Sequence, residues 1–494
     1  MARVVVVGAG LSGLAVATRL ARLRHDVVIC ERADGPGGQA GRYEQDGFGF
    51  DTGPTHLTLP AGYRDLFIKT GKTSPLESVL QLEPVDPAVR WQFADGTTVD
   101  VPNATRAGTL EALTAAFGPG AAEDWDRFLA VGSDIWEVFR KGFLAAPPSR
   151  RLDALRSKEG RARVAALSPE KNLPTLTARH LRDPRLVTAA HSYALRLGSD
   201  PRHAAAAVAL WPSMEHTFGT WRVDGGIRRL VDAMADRAAS RGAKLRYQTP
   251  VAAILHERQQ LRGVRLGSGE TLPADIVVSA VDHSVTRDLL GERRARAIAP
   301  SVSAFTLLLA LDGEGTLPPT ISFSPDPDRE LREVFGPPVP PSDPTVFLSP
   351  AEAPPGAAAW TVTVIVPRHG VPDGDPDSPD VVDWTDRATE AFARRVLDVL
   401  DRRGFGVSAR LRWCEAHSPA DVERRSGVPG GAIGGGNLHG LHGALFRPPN
   451  TTDLPGLYQV GGSAHPGPGL AFAPLGAALV AESIGRAKPS QLGR

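Results

Sequence analysis

The 494-residue chain has only two cysteines, Cys30 and Cys414. Cys30 falls in a β-branched run that reads as a buried strand, so neither a disulfide framework nor a zinc site is expected. Neither sign of charge is in excess: 56 Lys and Arg face 55 Asp and Glu, a net charge of +1. This balance gives no global electrostatic case for binding nucleic acid. No apolar stretch reaches the ~20 residues of a spanning helix. The 13 histidines are scattered without HExxH or similar spacing, so no metal is expected. No internal repeat and no Ser-His-Asp constellation stand out. The apolar run near the start returns at once to Arg19, Arg22 and Arg24, unlike a secretory signal. The expected location is the cytoplasm, with peripheral membrane contact left open.

What is present begins with "VVVVGAGLSGLAVATRLARLRHDVVICER", residues 4–32. Val4 to Val7 read as a buried parallel strand, and Leu11, Leu14, Ala15 and Leu20 recur at helical spacing. Between them lies G-x-G-x-x-G: Gly8, Ala9, Gly10, Leu11, Ser12 and Gly13. The first glycine makes the tight turn, the second admits a pyrophosphate, and the third packs helix on strand. A second run, Val27 to Cys30, ends at Glu31, where a dinucleotide fold places the carboxylate that accepts ribose hydroxyls. With 52 glycines, the bare pattern is weak; the strand, helix and acidic residue around it make it specific.

The following "RADGPGGQAGRYEQDGFGFDTGPTHLT" carries Gly37 and Gly38 and then Phe48 and Phe50 alternating with Gly47 and Gly49, as in a strand or hairpin. A simple NAD-binding unit does not need this extension, and no second G-x-G-x-x-G follows, which points to one bound flavin, FAD. These residues resemble the N-terminus of the phytoene desaturase family, FAD-dependent carotenoid desaturases, isomerases and oxygenases within the amine-oxidase-like flavoproteins. The likeness continues in "GTWRVDGGIRRLVDAMADRAASRGAKLRYQTPVAAI", in "LPADIVVSAVD" and in "GGAIGGGNLHGLHGALFRPPNTTDLPGLYQVGGSAHPGPGLAFAPLGAALVAESI".

The resemblance implies an α/β fold, a Rossmann-like FAD-binding domain of the two-dinucleotide-binding type with an inserted α+β substrate domain. The FAD domain should be discontinuous, about 1–70, 220–285 and 450–494, with the substrate or lid domain at about 71–219 and 286–449. Beyond the first loop, it assigns to the cofactor Arg32, Gly38, Gln39, Gly53, Pro54, Thr55, Val251, Gly461, Gly462, Gly469, Leu470 and Ala471. His56, Glu215, His216, Trp221 and His465 are candidates for lining the flavin and for acid or base work, with Arg222 beside Trp221.

The periodicities agree. Ile227, Leu230, Val231, Met234 and Ala238 form one helical stripe that Gly242 ends, and "AKLRYQ" starts a strand. "FTLLLAL" and "WTVTVIV" read as strands, and "DWTDRATEAFARRVLDVLDRRG" as a helix with Trp384, Ala388, Phe392, Val396 and Val399 on one face. Proline-rich stretches at 335–344, 351–358 and 372–380 read as surface connections. The arginine-rich 149–163 reads as a solvated face, with attraction to anionic lipid as the alternative.

Three departures bear on the substrate. Gln39 stands where the family has arginine, leaving Arg42 or Arg32 to compensate. Pro318-Pro319 stands where many carotenoid desaturases have a histidine pair, and "GPGLAFAPLG" replaces the more usual "GAGVPGVLLSG". Three readings follow: a desaturase or isomerase of an apolar polyene, a flavin oxidase or dehydrogenase of an amine or specialised small metabolite, and a flavoprotein that uses FAD structurally. The electron acceptor and the oligomeric state are not legible.

Overall fold

The computed structural model describes residues 1–71, 74–140, 172–292, 299–315, 317–370, 381–445 and 447–487. The arginine-rich 149–163 and the proline-rich 372–380 lie outside them. Five short parallel strands form the first sheet, in the order Lys244–Arg246, Asp26–Cys30, Arg3–Val7, Ile276–Ser279, Leu457–Gln459. Residues from the start, middle and end of the chain therefore lie side by side.

Strand alternation gives this sheet two buried faces. Val4 and Val6 pack with the helices Leu11–Arg22, Ile227–Ser240 and Ala473–Ile484. Val5 and Val7 face Ile254, Val264 and Leu266 of a three-stranded antiparallel sheet, Val251–Glu257, Gln260–Leu266 and Thr271–Pro273. Ile227, Leu230, Val231, Met234 and Ala238 are all buried, as their spacing predicts. Asp51 accepts the Ile227 N–H at 3.0 Å and so caps that helix. The molecule is a mixed α/β protein with a Rossmann-like FAD-binding fold.

A seven-stranded mixed sheet stands beyond it, in the order Leu411–His417, Ser303–Asp312, Ala357–Val366, Val346–Pro350, Thr320–Ser322, Val89–Gln92, Thr98–Val101. One face, Phe305, Leu307, Leu309, Val362 and Val364, packs on Phe392, Val396 and Val399 of the Asp386–Arg402 helix. Trp384 precedes that helix but joins the same cluster, its ring 5.5 Å from Phe305, whereas Ala388 is only half-buried. The other face carries Leu308 and Ala310 against Phe48 and Phe50, whose hairpin, Arg42–Gln45 and Phe48–Asp51, presents both aromatics on one side. Helices Arg106–Phe117, Pro119–Phe139, Leu173–His180, Pro184–Arg196 and Leu210–Phe218 form a separate bundle with its own core around Trp125 and Phe128. Pro318-Pro319 leads into the Thr320–Ser322 strand, where the Pro319 carbonyl accepts the Arg90 N–H at 2.7 Å.

Candidate active site

The Arg3–Val7 strand turns at Gly8, at φ +98°, into the Leu11–Arg22 helix. A Cβ on Gly13 would lie 2.1 Å from the Gly8 carbonyl oxygen, so only glycine lets the helix pack this closely. A Cβ on Gly10 would meet nothing within 4 Å, and no side chain caps the helix there. The first turn carries no side-chain cap, so its N–H groups and the positive end of the dipole make a cradle suited to a pyrophosphate. Gly37 donates its N–H to the Ala9 carbonyl at 3.1 Å and bridges to Gly10, which brings Gly38 alongside the loop.

Glu31 is buried, and its two carboxylate oxygens accept the N–H groups of Ala9 at 2.7 Å and Ala33 at 2.9 Å. Each oxygen keeps lone pairs for ribose hydroxyls. Thr249 donates to the Glu31 carbonyl at 2.7 Å, which sets Val251 near the same corner. At the other end of the sheet, the Val460 N–H bonds to Ser279 and the chain turns through Gly461, Gly462 and Ser463, whose Oγ accepts the His283 N–H at 2.8 Å. Leu470 and Ala471 then enter a short turn before the Ala473–Ile484 helix, which packs on the Leu11–Arg22 helix, and the Tyr63 hydroxyl donates to the Leu470 carbonyl at 2.8 Å.

The two arginines expected to compensate for Gln39 are committed elsewhere. Arg32 donates to the Arg424 carbonyl at 2.6 Å, at the end of the Pro419–Ser426 helix. Arg42 pairs with Glu44 and Glu352 and donates to the Gly225 carbonyl at 3.2 Å. Gln39 itself donates its amide to the Ala432 carbonyl at 2.9 Å. A Cβ on Gly53 would lie 2.0 Å from the Gln39 carbonyl oxygen, so the Gly53-Pro54-Thr55 loop and the glycine-rich loop are in direct contact.

His56 follows this loop. Its Nδ1 lies 2.9 Å from the Thr55 hydroxyl, which is also 3.1 Å from the Ser349 hydroxyl. Burial, with the charges of Arg196 and Arg222, pushes the His56 pKa down to about 4, so the ring is neutral near pH 7. Leu57 pairs with Trp221, whose indole N–H donates to the Phe218 carbonyl at 2.8 Å. Glu215 and His216 separate. Glu215 accepts from the Tyr193 hydroxyl at 2.9 Å and from Arg196 Nη2 at 2.8 Å. His216 turns into the core, 3.2 Å from the Thr109 hydroxyl, and burial depresses its pKa to about 4. His465 is buried, with its backbone held by Pro448 and Asn450.

Arg447 was not singled out by sequence. It is buried and donates to the carbonyls of Gly434 at 3.3 Å, Gly436 at 2.9 Å and Gly462 at 3.0 Å. Burial lowers its pKa to about 10, still cationic near pH 7. It binds the "GGG" run to the Gly461–Ser463 turn; a Cβ on Gly435 would lie 2.5 Å from the Ser463 nitrogen. Tyr193 and Arg196 were also missed. Their i, i+3 spacing is the available signal, but it names no partner until Glu215 is set opposite.

The sequence matches the flavin containing amine oxidoreductases over residues 11–467. The chain belongs to that family. Among its curated relatives are a hydroxyneurosporene desaturase of Cereibacter sphaeroides, 31% identical over 98% of this chain and 97% of the relative, and a 4,4'-diapolycopene oxygenase of a Methylomonas species, 29% identical over 98% of each. A lycopene-forming phytoene desaturase of Pseudescherichia vulneris is 29% identical over 95% of this chain and 96% of its own. The cyclohexylamine oxidase of Brevibacterium oxydans shares the fold, with TM-score 0.61 at 18% identity over 98% of this chain and 99% of that one. Family membership and the two strand–glycine–helix junctions agree: this member of the flavin containing amine oxidoreductases is an FAD-dependent oxidoreductase. Among the described residues no helix is long and apolar enough to cross a membrane, and no cluster could hold a metal ion.

Proposed function

We propose that the protein is a desaturase of an elongated, largely apolar polyene. The observation that carries this is the near full-length likeness to relatives named for phytoene and hydroxyneurosporene desaturation, which cover 95% and 98% of the chain. On this reading the loop Gly8–Gly13, Glu31, Gly38 and the segments at Gly53–Thr55, Val251, Gly461–Gly462 and Gly469–Ala471 hold FAD. Bound FAD supplies a two-electron acceptor for a hydride from a C–H bond. The protein supplies position and dryness. Thr55 orients His56, and burial keeps that imidazole uncharged, which suits a hydrocarbon neighbour. The same reading divides the chain into an FAD unit of about 1–70, 220–285 and 450–494 and a substrate unit of about 71–219 and 286–449. Such a substrate partitions into lipid, so peripheral membrane contact belongs to the proposal; Ile68 and Val79, 51% and 44% exposed, are apolar groups available for it.

Oxidation of an amine is the second reading, and the Arg196 charge near His56 disfavours a protonated amine there. Anaerobic mixing with polyenes, small amines and NADPH, followed by the visible flavin band, separates the readings. Bleaching by a polyene is expected. Bleaching only by an amine would move the protein to the second reading, and fast bleaching by NADPH alone would overturn both.

A further inference from the structure

Arg447 holds three carbonyls, but holding carbonyls needs donors, not a full charge. The residue is 4% exposed, and among the described residues it forms no ion pair. Its Nε is buried and has no hydrogen-bond partner among them. Asp282, the carboxylate whose charge acts on it, caps the His283–Leu289 helix instead. There it accepts the Ser284 N–H at 2.9 Å and the Ser284 hydroxyl at 2.7 Å. Burying an ion away from a counter-ion is unfavourable, and three carbonyl dipoles offset only part of that. The charge therefore calls for an anion that the described chain does not supply.

The place of Arg447 says which anion. It donates to the Gly462 carbonyl at 3.0 Å, and a Cβ on Gly467 would lie 3.2 Å from its Nε. It thus sits within the turn that joins Gly461–Gly462 to Gly469–Ala471, the two pieces of the second junction that the proposed reading gives to FAD. That reading assigns the cofactor's pyrophosphate to the Gly8–Gly13 cradle, which leaves the ring for this turn. A flavin ring that takes up a hydride gains two electrons and one proton, so its charge falls by one. The other ionisable groups of the turn are His283, whose N–H bonds to the Ser463 Oγ at 2.8 Å, and the buried His465.

We infer that Arg447 is the fixed counter-charge for the reduced flavin. It favours the reduced cofactor over the oxidised one, and so sets how readily a substrate can give up its hydride. Asp282 opposes it from the next helix cap.

The inference rests on the reading that puts flavin at this turn, and its test keeps the two apart. The holoenzyme is equilibrated anaerobically with a reference redox dye at fixed pH. The ratio of reduced to oxidised flavin at a set dye poise is read from the visible bands. Arg447→Gln keeps amide donors and loses the charge, and should lower that ratio about tenfold or more. Arg447→Lys keeps the charge and loses the fork, and should stay within about threefold of wild type. Asp282→Asn can still cap its helix, and should raise the ratio about threefold or more. Melting temperature reports the hold on the carbonyls and should fall in both Arg447 variants, so stability and poise part company in the lysine variant. Should Arg447→Gln lose its flavin, Arg447→Lys and Asp282→Asn carry the test. An unchanged ratio in Arg447→Gln or in Asp282→Asn, or a lysine variant that falls about tenfold, overturns the counter-charge and leaves the flavin site in place. Gly461→Val checks that site: at φ +117° a branched side chain strains the turn, and the folded variant should lose flavin. Full flavin retention there would take the cofactor away from this turn, and the inference with it.

Discussion

Glu31 ties the Gly8–Gly13 loop to the end of the second strand, and on the proposed reading it also meets the cofactor ribose. Glu31→Ala should weaken FAD binding by about ten- to a hundredfold, because a charge-assisted contact to ribose and two turn bonds are lost together. Glu44→Ala, which removes only an exposed pair with Arg42, should leave flavin retention near wild type; equal retention in the two variants would remove Glu31 from the site. Histidine burial gives a second outcome at this scale. His56, His191, His216 and His417 are each held down to about 4, chiefly by burial, from an ordinary value of 6.5. Between those values the unfolded chain binds more protons, so this stability is present above about pH 6.5 and drains as the pH falls toward 4. Asp51 and Glu330, raised to about 6 and about 7 by burial, act in the opposite sense but are two against four. The melting temperature should fall between pH 7 and pH 5, and His216→Gln should flatten that fall; a rise on acidification would contradict it. Sequence spacing read this scale unevenly. Glu31 follows from its place at a strand end, whereas Glu215 and His216, adjacent in the chain, lie about 100° apart on a helix and face different surroundings.

Helices and strands were the most legible level, because burial on one face imposes a period that survives in the sequence. The stripe Ile227 to Ala238 and the runs within Ser303–Asp312 and Ala357–Val366 fall where their periods put them. Links between elements were not legible, since one arginine in "FRPPN" looks like any surface arginine until three carbonyls are seen around it. Arg447 is such a link. Arg447→Met should leave the carbonyls of Gly434, Gly436 and Gly462 without that donor and cost about 2–4 kcal/mol, with loss of flavin on gel filtration. Arg412→Met, which breaks an exposed pair with Asp312, should change stability by no more than about 0.5 kcal/mol. Matching melting curves for the two variants would show that the buried arginine is not a structural link.

At the scale of the whole molecule, the order of the matched segments revealed the fold class, while the packing of the Pro184–Arg196 helix with the Leu210–Phe218 helix did not show in any one of them. On the proposed reading the glycine cradle and the second junction hold FAD without a recognisable attachment motif, so purified protein should be yellow and should release free FAD on heating or in acid. Flavin that stays with the denatured chain would refute this. The first sheet also has a history in time. Arg3–Val7 leaves the ribosome before its neighbours: Asp26–Cys30 follows at once, but Ile276–Ser279 comes some 270 residues later, and the edge strand Leu457–Gln459 later still. At about 5–20 residues per second, the Arg3–Val7 strand waits tens of seconds for its second partner. Through the synthesis of those intervening residues the nascent chain therefore carries a naked apolar sheet edge, a target for chaperones, and the second glycine junction of the proposed flavin site is made only after it.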